Sequence, residues 1–246
     1  MASPIYTRES ISPWRIGWLA AKANFVPGLI LQVVAVSLVI AYYTVPAVES
    51  WLGSLAELKR QGGYFYSACS GMFFCGFLPW CFRMGLKALR PKNPWSDLTF
   101  SLGWWAWMGM QTDAFYRFQG VIWGDGTSPW IVVAKVATDM LVYTPLIASP
   151  MNAIAHLWKA GGFDFTVVRS TIKRGWYRRI VMPNLVPNWM LWTPGTGIVY
   201  SLPSLLQLPM ANLIGCFWSL LCITIAAGDE KKNASSENGQ NSPAAG

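Results

Sequence analysis

The sequence predicts an all-α polytopic transmembrane helical bundle with four to five spans, the last in a proline-broken C-terminal region. Hydrophobic residues make up 53% of the 246 residues and charged residues only 12%, about half the charged fraction of a typical soluble domain. Charge-poor apolar runs recur with the length, about 20 residues, that crosses the ~30 Å hydrocarbon core of a bilayer. The 15 tryptophans suit the membrane–water interface, where the ring is apolar and the N–H reaches water.

The N-terminal half is predicted to contain an interfacial segment and two spans. Residues 1–24 combine basic residues with tryptophan and are expected to form an amphipathic helix on the membrane surface. The membrane bundle follows over residues 25–227. Its first span, 25–48, has no charged residue, and its second, 64–86, holds Pro79, which is expected to kink it. Between these spans, residues 49–63 are interpreted as a polar connection.

The C-terminal half is predicted to contain two further spans and a broken apolar stretch. The spans cover residues 98–123 and 130–157, and the second of them contains Pro145 and Pro150. Residues 189–227 are too long for one span and are interpreted as a broken helix followed by a span. The break is indicated by three prolines: Pro194, Pro203 and Pro209. The polar residues 228–246 are predicted to be a disordered tail.

The net charge of +8 points to the membrane rather than to nucleic acid. The basic residues lie between apolar runs, near the N-terminus, around 83–92 and around 159–179, instead of forming one block. This distribution is typical of topology signals, which mark the cytoplasmic-type side of a membrane. The basic loop 169–179 therefore favours an anionic lipid surface. The expected partner is the lipid bilayer, with no nucleic acid.

Four charged residues inside the predicted spans are the candidate functional residues. They form two pairs, Asp113 with Arg117 and Lys135 with Asp139. A charge at the centre of a transmembrane helix costs at least ~2.5–3.5 kcal/mol on insertion scales. Because residues four apart share a helical face, each pair is expected to form and to face inward. They line or gate a polar pathway, clasp helices together as structural ion pairs, or lie close enough to the interface to reach water.

The sequence offers little for catalysis. His156 is the single histidine, so no multi-histidine metal site can form and a serine–histidine–aspartate triad has one candidate base. It lies near the end of a predicted span and is expected at the membrane interface. We therefore expect no enzymatic activity, no catalytic residues, no metal site and no cofactor. A membrane enzyme acting on lipid or a redox substrate is the least favoured alternative.

Five landmarks over residues 95–225 occur in an order that resembles one known family. They are GMQTDAFYRF at 109–118, KVATDMLVYTP at 135–145, NWMLWTP at 188–194, VYSLPSLLQ at 199–207, and Trp218. The closest signature is the family's Asn-Trp-x-x-Trp-Pro. In these landmarks the sequence is similar to the Mpv-seventeen family of peroxisomal membrane proteins, small four-span proteins of peroxisomal and mitochondrial inner membranes.

Departures from the family pattern make this chain a divergent member. They are Met110 for proline, Asp113 for histidine, Met140 for glutamine, Thr193 as an extra residue, and Gln207 for arginine. The first two spans match the family only in hydropathy. The resemblance leaves several locations open: the bacterial inner membrane or, in a eukaryote, the mitochondrial inner membrane or the peroxisomal membrane.

The resemblance implies a channel or passive pore for small hydrophilic solutes that contributes to membrane homeostasis, with a homo-oligomer as a candidate assembly. Lys135 and Asp139 are then the first choices for lining or gating, ahead of Asp113 and Arg117. A structural motif is expected to shape the broken helix: Asn188, Trp189, Trp192 and Pro194, with Pro145 in the neighbouring span. The alternative is a structural or interaction membrane protein without transport activity.

Overall fold

The computed structural model of the protein describes residues 12–240, which are almost entirely helical and contain no β-strand. The α-helices, in chain order, are α1 Pro13–Ala23, α2 Phe25–Thr44, α3 Pro46–Gly71, α4 Leu78–Gly85, α5 Pro94–Trp123, α6 Pro129–Thr138, α7 Ser149–Ala160, α8 Phe165–Thr171, α9 Met182–Tyr200 and α10 Ser204–Gln240. Three segments, Met72–Phe77, Asp139–Ala148 and Tyr177–Val181, are π-helical, and Lys87–Leu89 forms a 3-10 turn.

Long apolar helices confirm the predicted all-α transmembrane bundle. Within the described residues, four helical stretches are long and apolar enough to cross a membrane: Phe25–Thr44, Pro46–Gly85, Pro129–Ala160 and Ser204–Thr224. Helix α2 is an example of such a stretch. Its residues Leu29, Val33 and Ile40 are each more than half exposed. Large apolar side chains left uncovered along a whole helix are suited to contact with lipid.

Two predicted segments differ from the structure. Residues 49–63 are not a polar connection but part of α3, and Lys59 there is buried and paired rather than solvated. Helix α5, at the third predicted span, extends about 45 Å at ~1.5 Å per residue. It carries Asp97, Asp113 and Arg117 and is not one of the four apolar stretches.

The C-terminal region is interrupted at one of the three expected prolines. The chain turns at residues 201–203, which include Pro203, whereas Pro194 lies inside α9 and Pro209 inside α10. Helix α10 continues to Gln240, whereas residues 228–246 were expected to be a disordered tail. Alanine, glutamate and lysine in this stretch favour a helix. Residues 1–11 of the predicted interfacial segment, and 241–246 of the tail, lie outside the described residues.

The helices form two compact units, of which the first comprises Met1–Val36 and Trp123–Leu202. Inside it, α1 lies against α9. A Cβ at Gly17 would come within 2.8 Å of the carbonyl oxygen of Pro183, so only glycine permits this approach. The rings of Trp14 and Trp189 stack with centroids 6.2 Å apart. Helix α9 also packs against α6, which brings Tyr200 next to Asp139.

The second unit comprises Ser37–Ile122 and Pro203–Gly246. In this unit α3 and α5 approach closely at Gly71 and Gly109, where an added Cβ on either glycine would overlap backbone atoms of the other helix. Helix α10 joins α3 through the amide of Asn212, which donates to the hydroxyl of Ser70 at 2.8 Å. These small-residue contacts allow the polar groups of α3 and α5 to meet.

Candidate functional site

One continuous helical stretch of the first unit presents polar side chains toward α9. It consists of α6, the π-helical segment Asp139–Ala148 and α7, without interruption from Pro129 to Ala160. We call six of its residues the polar row: Lys135, Asp139, Thr144, Ser149, Asn152 and His156. The row extends about 30 Å along the helix at ~1.5 Å per residue. That distance matches the ~30 Å hydrocarbon core of a bilayer.

Asp139 is held by two hydroxyl groups rather than by a cation. The hydroxyl of Tyr200, at the end of α9, donates to Oδ2 of Asp139 at 2.7 Å. The hydroxyl of Thr144 donates to Oδ1 at 3.1 Å. All three residues are buried. A carboxylate in such surroundings needs these donors, because burial without hydrogen bonds is costly.

Lys135 is buried without a hydrogen bond. Its residue is 1% exposed, and its Nζ has no hydrogen-bond partner among the described residues. The ammonium lies 6.0 Å from the centroid of the Tyr200 ring, at the edge of the range for cation–π attraction. The expected Lys135–Asp139 hydrogen-bonded pair is therefore not formed, because Tyr200 and Thr144 take the carboxylate.

The other end of the polar row opens into a cavity of about 390 Å³. We call it the polar groove and define it by five side chains: Ser149, Asn152 and His156 of α7, and Asn184 and Asn188 of α9. Asn152, His156 and Asn184 are exposed. The remaining lining residues are aliphatic: Ala153, Leu157, Ile180 and Val181. His156, expected at the interface, lies in this groove.

Two prolines free backbone carbonyls in the π-helical stretch, and aromatic side chains bind both. In a π-helix each N–H bonds five residues back, and Ser149 N–H donates to Thr144 O in this way. Pro145 and Pro150 lack that N–H, so Met140 O and Pro145 O do not receive the π-helical hydrogen bond. The indole of Trp189 donates to Met140 O at 2.9 Å, and the hydroxyl of Tyr177 donates to Pro145 O at 2.8 Å.

The residues of the predicted structural motif have different roles in the structure. Trp189 and Pro145 belong to the carbonyl-capping arrangement, and Asn188 belongs to the polar groove. The backbone carbonyl of Trp192 accepts a hydrogen bond from the hydroxyl of Thr196 at 2.7 Å. Pro194 lies inside α9 without ending it. At Tyr177, outside the spans, burial raises the pKa of the phenol, which keeps it a hydrogen-bond donor.

The second unit holds a separate cluster, in which Lys59, Ser67 and Asp113 are buried and Arg117 is exposed. Lys59 Nζ pairs directly with Asp113 Oδ2. It also donates to Ser67 Oγ at 2.9 Å, and Ser67 Oγ lies 2.8 Å from the same carboxylate oxygen. Arg117 Nε lies 3.3 Å from Asp113 Oδ2. The expected Asp113–Arg117 pair is formed, but the more deeply buried partner of Asp113 is Lys59.

A glycine in the middle of α3 makes this cluster possible. Gly63 has φ +52° and ψ −129°, a backbone conformation that favours glycine. Its carbonyl oxygen lies 3.4 Å from Lys59 Nζ and 3.0 Å from Ser67 Oγ. Gly63 thus lies at a kink in α3, across which Lys59 and Ser67 meet. Helical periodicity does not signal the burial of Lys59, because the kink interrupts it.

No family model, curated protein or solved structure matches this chain. The class of the protein follows from its fold. Residues 12–240 contain four stretches able to cross a bilayer, with large apolar side chains exposed along them, so the chain is an integral helical membrane protein that contacts lipid.

Proposed function

We propose that the protein is a passive pathway for small hydrophilic solutes and that the pathway follows the polar row of the first unit. The observation that carries the proposal is the sequence of polar side chains from Lys135 to His156, which matches the thickness of a bilayer core in length. Polar and ionisable side chains on a span are costly in lipid, and they typically mark pathways or line aqueous cavities. The Mpv-seventeen resemblance adds support, and membership of that family stays a prediction.

The two ends of the polar row differ in accessibility, which suggests how the pathway is controlled. The polar groove is open, with three exposed polar side chains, whereas Lys135, Asp139 and Tyr200 are buried. In this proposal solutes enter at the groove, and the hydrogen bond between Tyr200 and Asp139 closes the path beyond it. Asp139 and Lys135 are then gating residues. Asp113 and Arg117 belong to the other cluster and are not assigned to this pathway.

A proteoliposome assay tests the proposal. Purified protein is reconstituted, and entry of small solutes is followed by light scattering after an osmotic step. Wild-type protein should admit solute faster than empty liposomes. A Ser149→Cys variant should lose that difference when a bulky thiol reagent is attached in the groove. Ser54→Cys, at an exposed serine of α3, is the matched control and should keep it.

Solute entry equal to empty liposomes for every solute, from protein that retains its helical content, would contradict the proposal. That outcome would favour the second candidate, a structural or interaction membrane protein. Pairing in the second unit favours this candidate, because Asp113 binds both Lys59 and Arg117, and Asp97 binds Arg83. Among the described residues, the buried charges of this unit therefore have partners. Assembly into a homo-oligomer stays a prediction and can be measured on the same purified protein.

A further inference from the structure

We infer that the polar groove binds uncharged polyhydroxylated molecules, such as short polyols, and that these are the solutes the pathway admits. The inference rests on the proposed function for the transport step, but the binding step can be tested alone. The groove is built by two facing helices, with Ser149, Asn152 and His156 three and four residues apart on α7, and Asn184 and Asn188 four apart on α9. Each set lies on one helical face.

The hydrogen-bonding chemistry of the lining matches hydroxyl groups. Serine hydroxyl, asparagine amide and neutral imidazole each both donate and accept hydrogen bonds. A hydroxyl group does the same, so a polyol matches the donor and acceptor character of this lining. A phosphate or carboxylate requires donors and compensating positive charge, and a metal cation requires acceptors. The five polar side chains include no lysine, arginine, aspartate or glutamate.

The shape and the aliphatic part of the groove fit the same class of ligand. Its volume of about 390 Å³ lies at the lower end of the range for small-molecule sites, roughly 300–1,000 Å³. Leu157, Ile180 and Val181 form an apolar wall beside the polar side chains. A polyol presents C–H groups between its hydroxyls, so it can contact both kinds of surface at once.

The buried end of the row also disfavours ions. Lys135 and Asp139 are one helical turn apart, so a passing anion or cation meets one attractive and one repulsive charge. The attraction to one charge and the repulsion from the other oppose each other. A hydroxyl group can accept from the ammonium of Lys135 or donate to the carboxylate of Asp139. An uncharged solute meets no such repulsion, so its passage costs less free energy than that of an ion.

Binding is measured by thiol protection in the purified full-length protein. The rate of modification of Ser149→Cys is followed by peptide mass spectrometry with sorbitol, inorganic phosphate or tetramethylammonium at equal osmolarity. Sorbitol should slow modification at residue 149, and the two ions should not. Ser54→Cys corrects for viscosity and should be unaffected. Equal rates with and without sorbitol, or stronger protection by phosphate, would overturn the inference.

Removal of hydrogen-bonding groups from the groove sharpens the test. Asn188→Leu should weaken sorbitol protection roughly three- to tenfold, the effect of one net hydrogen bond, and Asn188→Gln should restore part of it. In proteoliposomes, glycerol and sorbitol should enter faster than chloride or sodium. Protection without flux would contradict the proposed function alone, whereas flux that favours ions would contradict the inferred solute class alone.

Discussion

The two buried clusters of charged residues differ in how their charges are satisfied. In the second unit, Lys59 meets Asp113 directly, and Ser67 and Arg117 complete the contacts of that carboxylate. In the first unit, Asp139 is bound by two hydroxyls, while the Nζ of Lys135 is buried without a hydrogen-bond partner among the described residues. The first arrangement holds helices together, and the second leaves a buried donor available.

This difference indicates which cluster to examine for function. Burial of a charge that is neither paired nor hydrogen-bonded is unfavourable, so Lys135 is not explained by stability. A buried pair behaves differently, because removal of one partner leaves the other charge uncompensated. Substitution of the buried lysine should therefore affect stability differently in the two units.

Lys59→Met should cause the largest loss of stability, about 3–5 kcal/mol, because it leaves Asp113 buried without its closest cation. Lys135→Met should leave stability unchanged or raise it, since no hydrogen bond is lost. Unfolding in mixed detergent micelles, followed by circular dichroism, measures both. Arg60→Gln, which breaks only an exposed pair with Glu57, is the control and should have no measurable effect.

Addition of Asp113→Leu to Lys59→Met should recover part of the lost stability, because the buried carboxylate that lost its closest cation is then removed. Equal destabilisation by Lys59→Met and Lys135→Met would abolish the distinction between the two clusters.

Gly109→Ala should cost about 1–3 kcal/mol, the usual cost of overpacking, because its Cβ would overlap the carbonyl of Ser67 in the neighbouring helix. Loss of this close approach should also disturb the Ser67–Asp113 contact. Gly103→Ala is the matched control, since no atom lies within 4 Å of its added Cβ. The same unfolding assay should show no loss for the control, and a comparable loss at both glycines would argue against close α3–α5 packing.

Trp189→Phe should cost about 1–3 kcal/mol, the penalty of a buried polar group left unsatisfied, because Met140 O then loses its donor. The carbonyl lies in a candidate span, where it has no water to bond. Trp192→Phe is the control, because the hydrogen bond at Trp192 is accepted by its backbone carbonyl, which the substitution keeps. Amide hydrogen exchange around residues 139–148 should increase in the first variant only. Unchanged exchange in Trp189→Phe would contradict the capping role.

The smallest expected effect is a pH dependence at α8. Asp164 accepts hydrogen bonds from the backbone N–H and the hydroxyl of Thr166, which hold the pKa of its carboxyl below the ordinary value. A lowered folded-state pKa contributes stability above the unfolded pKa, and this contribution is lost as pH falls through the folded pKa. Exchange of the Thr166 amide should therefore increase at acidic pH beyond the intrinsic trend. Asp164→Asn should remove that change, and an identical acid response in both proteins would contradict the role of Asp164 as the N-cap of α8.

Sequence patterns predicted the fold class because apolar runs and their length are local properties of the chain. They also identified Asp113, Arg117, Lys135 and Asp139, since charges are conspicuous in such runs. The partners of these residues could not be read in the same way. Tyr200 reaches Asp139 from the end of another helix, and this contact depends on how α9 packs against α6.

Two further features depended on backbone geometry that periodicity does not report. Lys59 lay in a segment with Glu57, Arg60 and two glycines, which has the composition of a loop. Its burial requires the positive φ of Gly63 and the close helix approach at Gly109. The π-helical register of residues 139–148 likewise determines which carbonyls lose a donor at the prolines. Trp189 and Tyr177 donate hydrogen bonds to these carbonyls.

The most direct test of the pathway is solute entry into proteoliposomes that contain Lys135→Met. This change replaces the buried ammonium of the polar row with an apolar side chain and breaks no hydrogen bond. The variant should be as stable as wild type and should admit glycerol severalfold more slowly. A folded Lys135→Met protein that admits glycerol at the wild-type rate would contradict a pathway along the polar row.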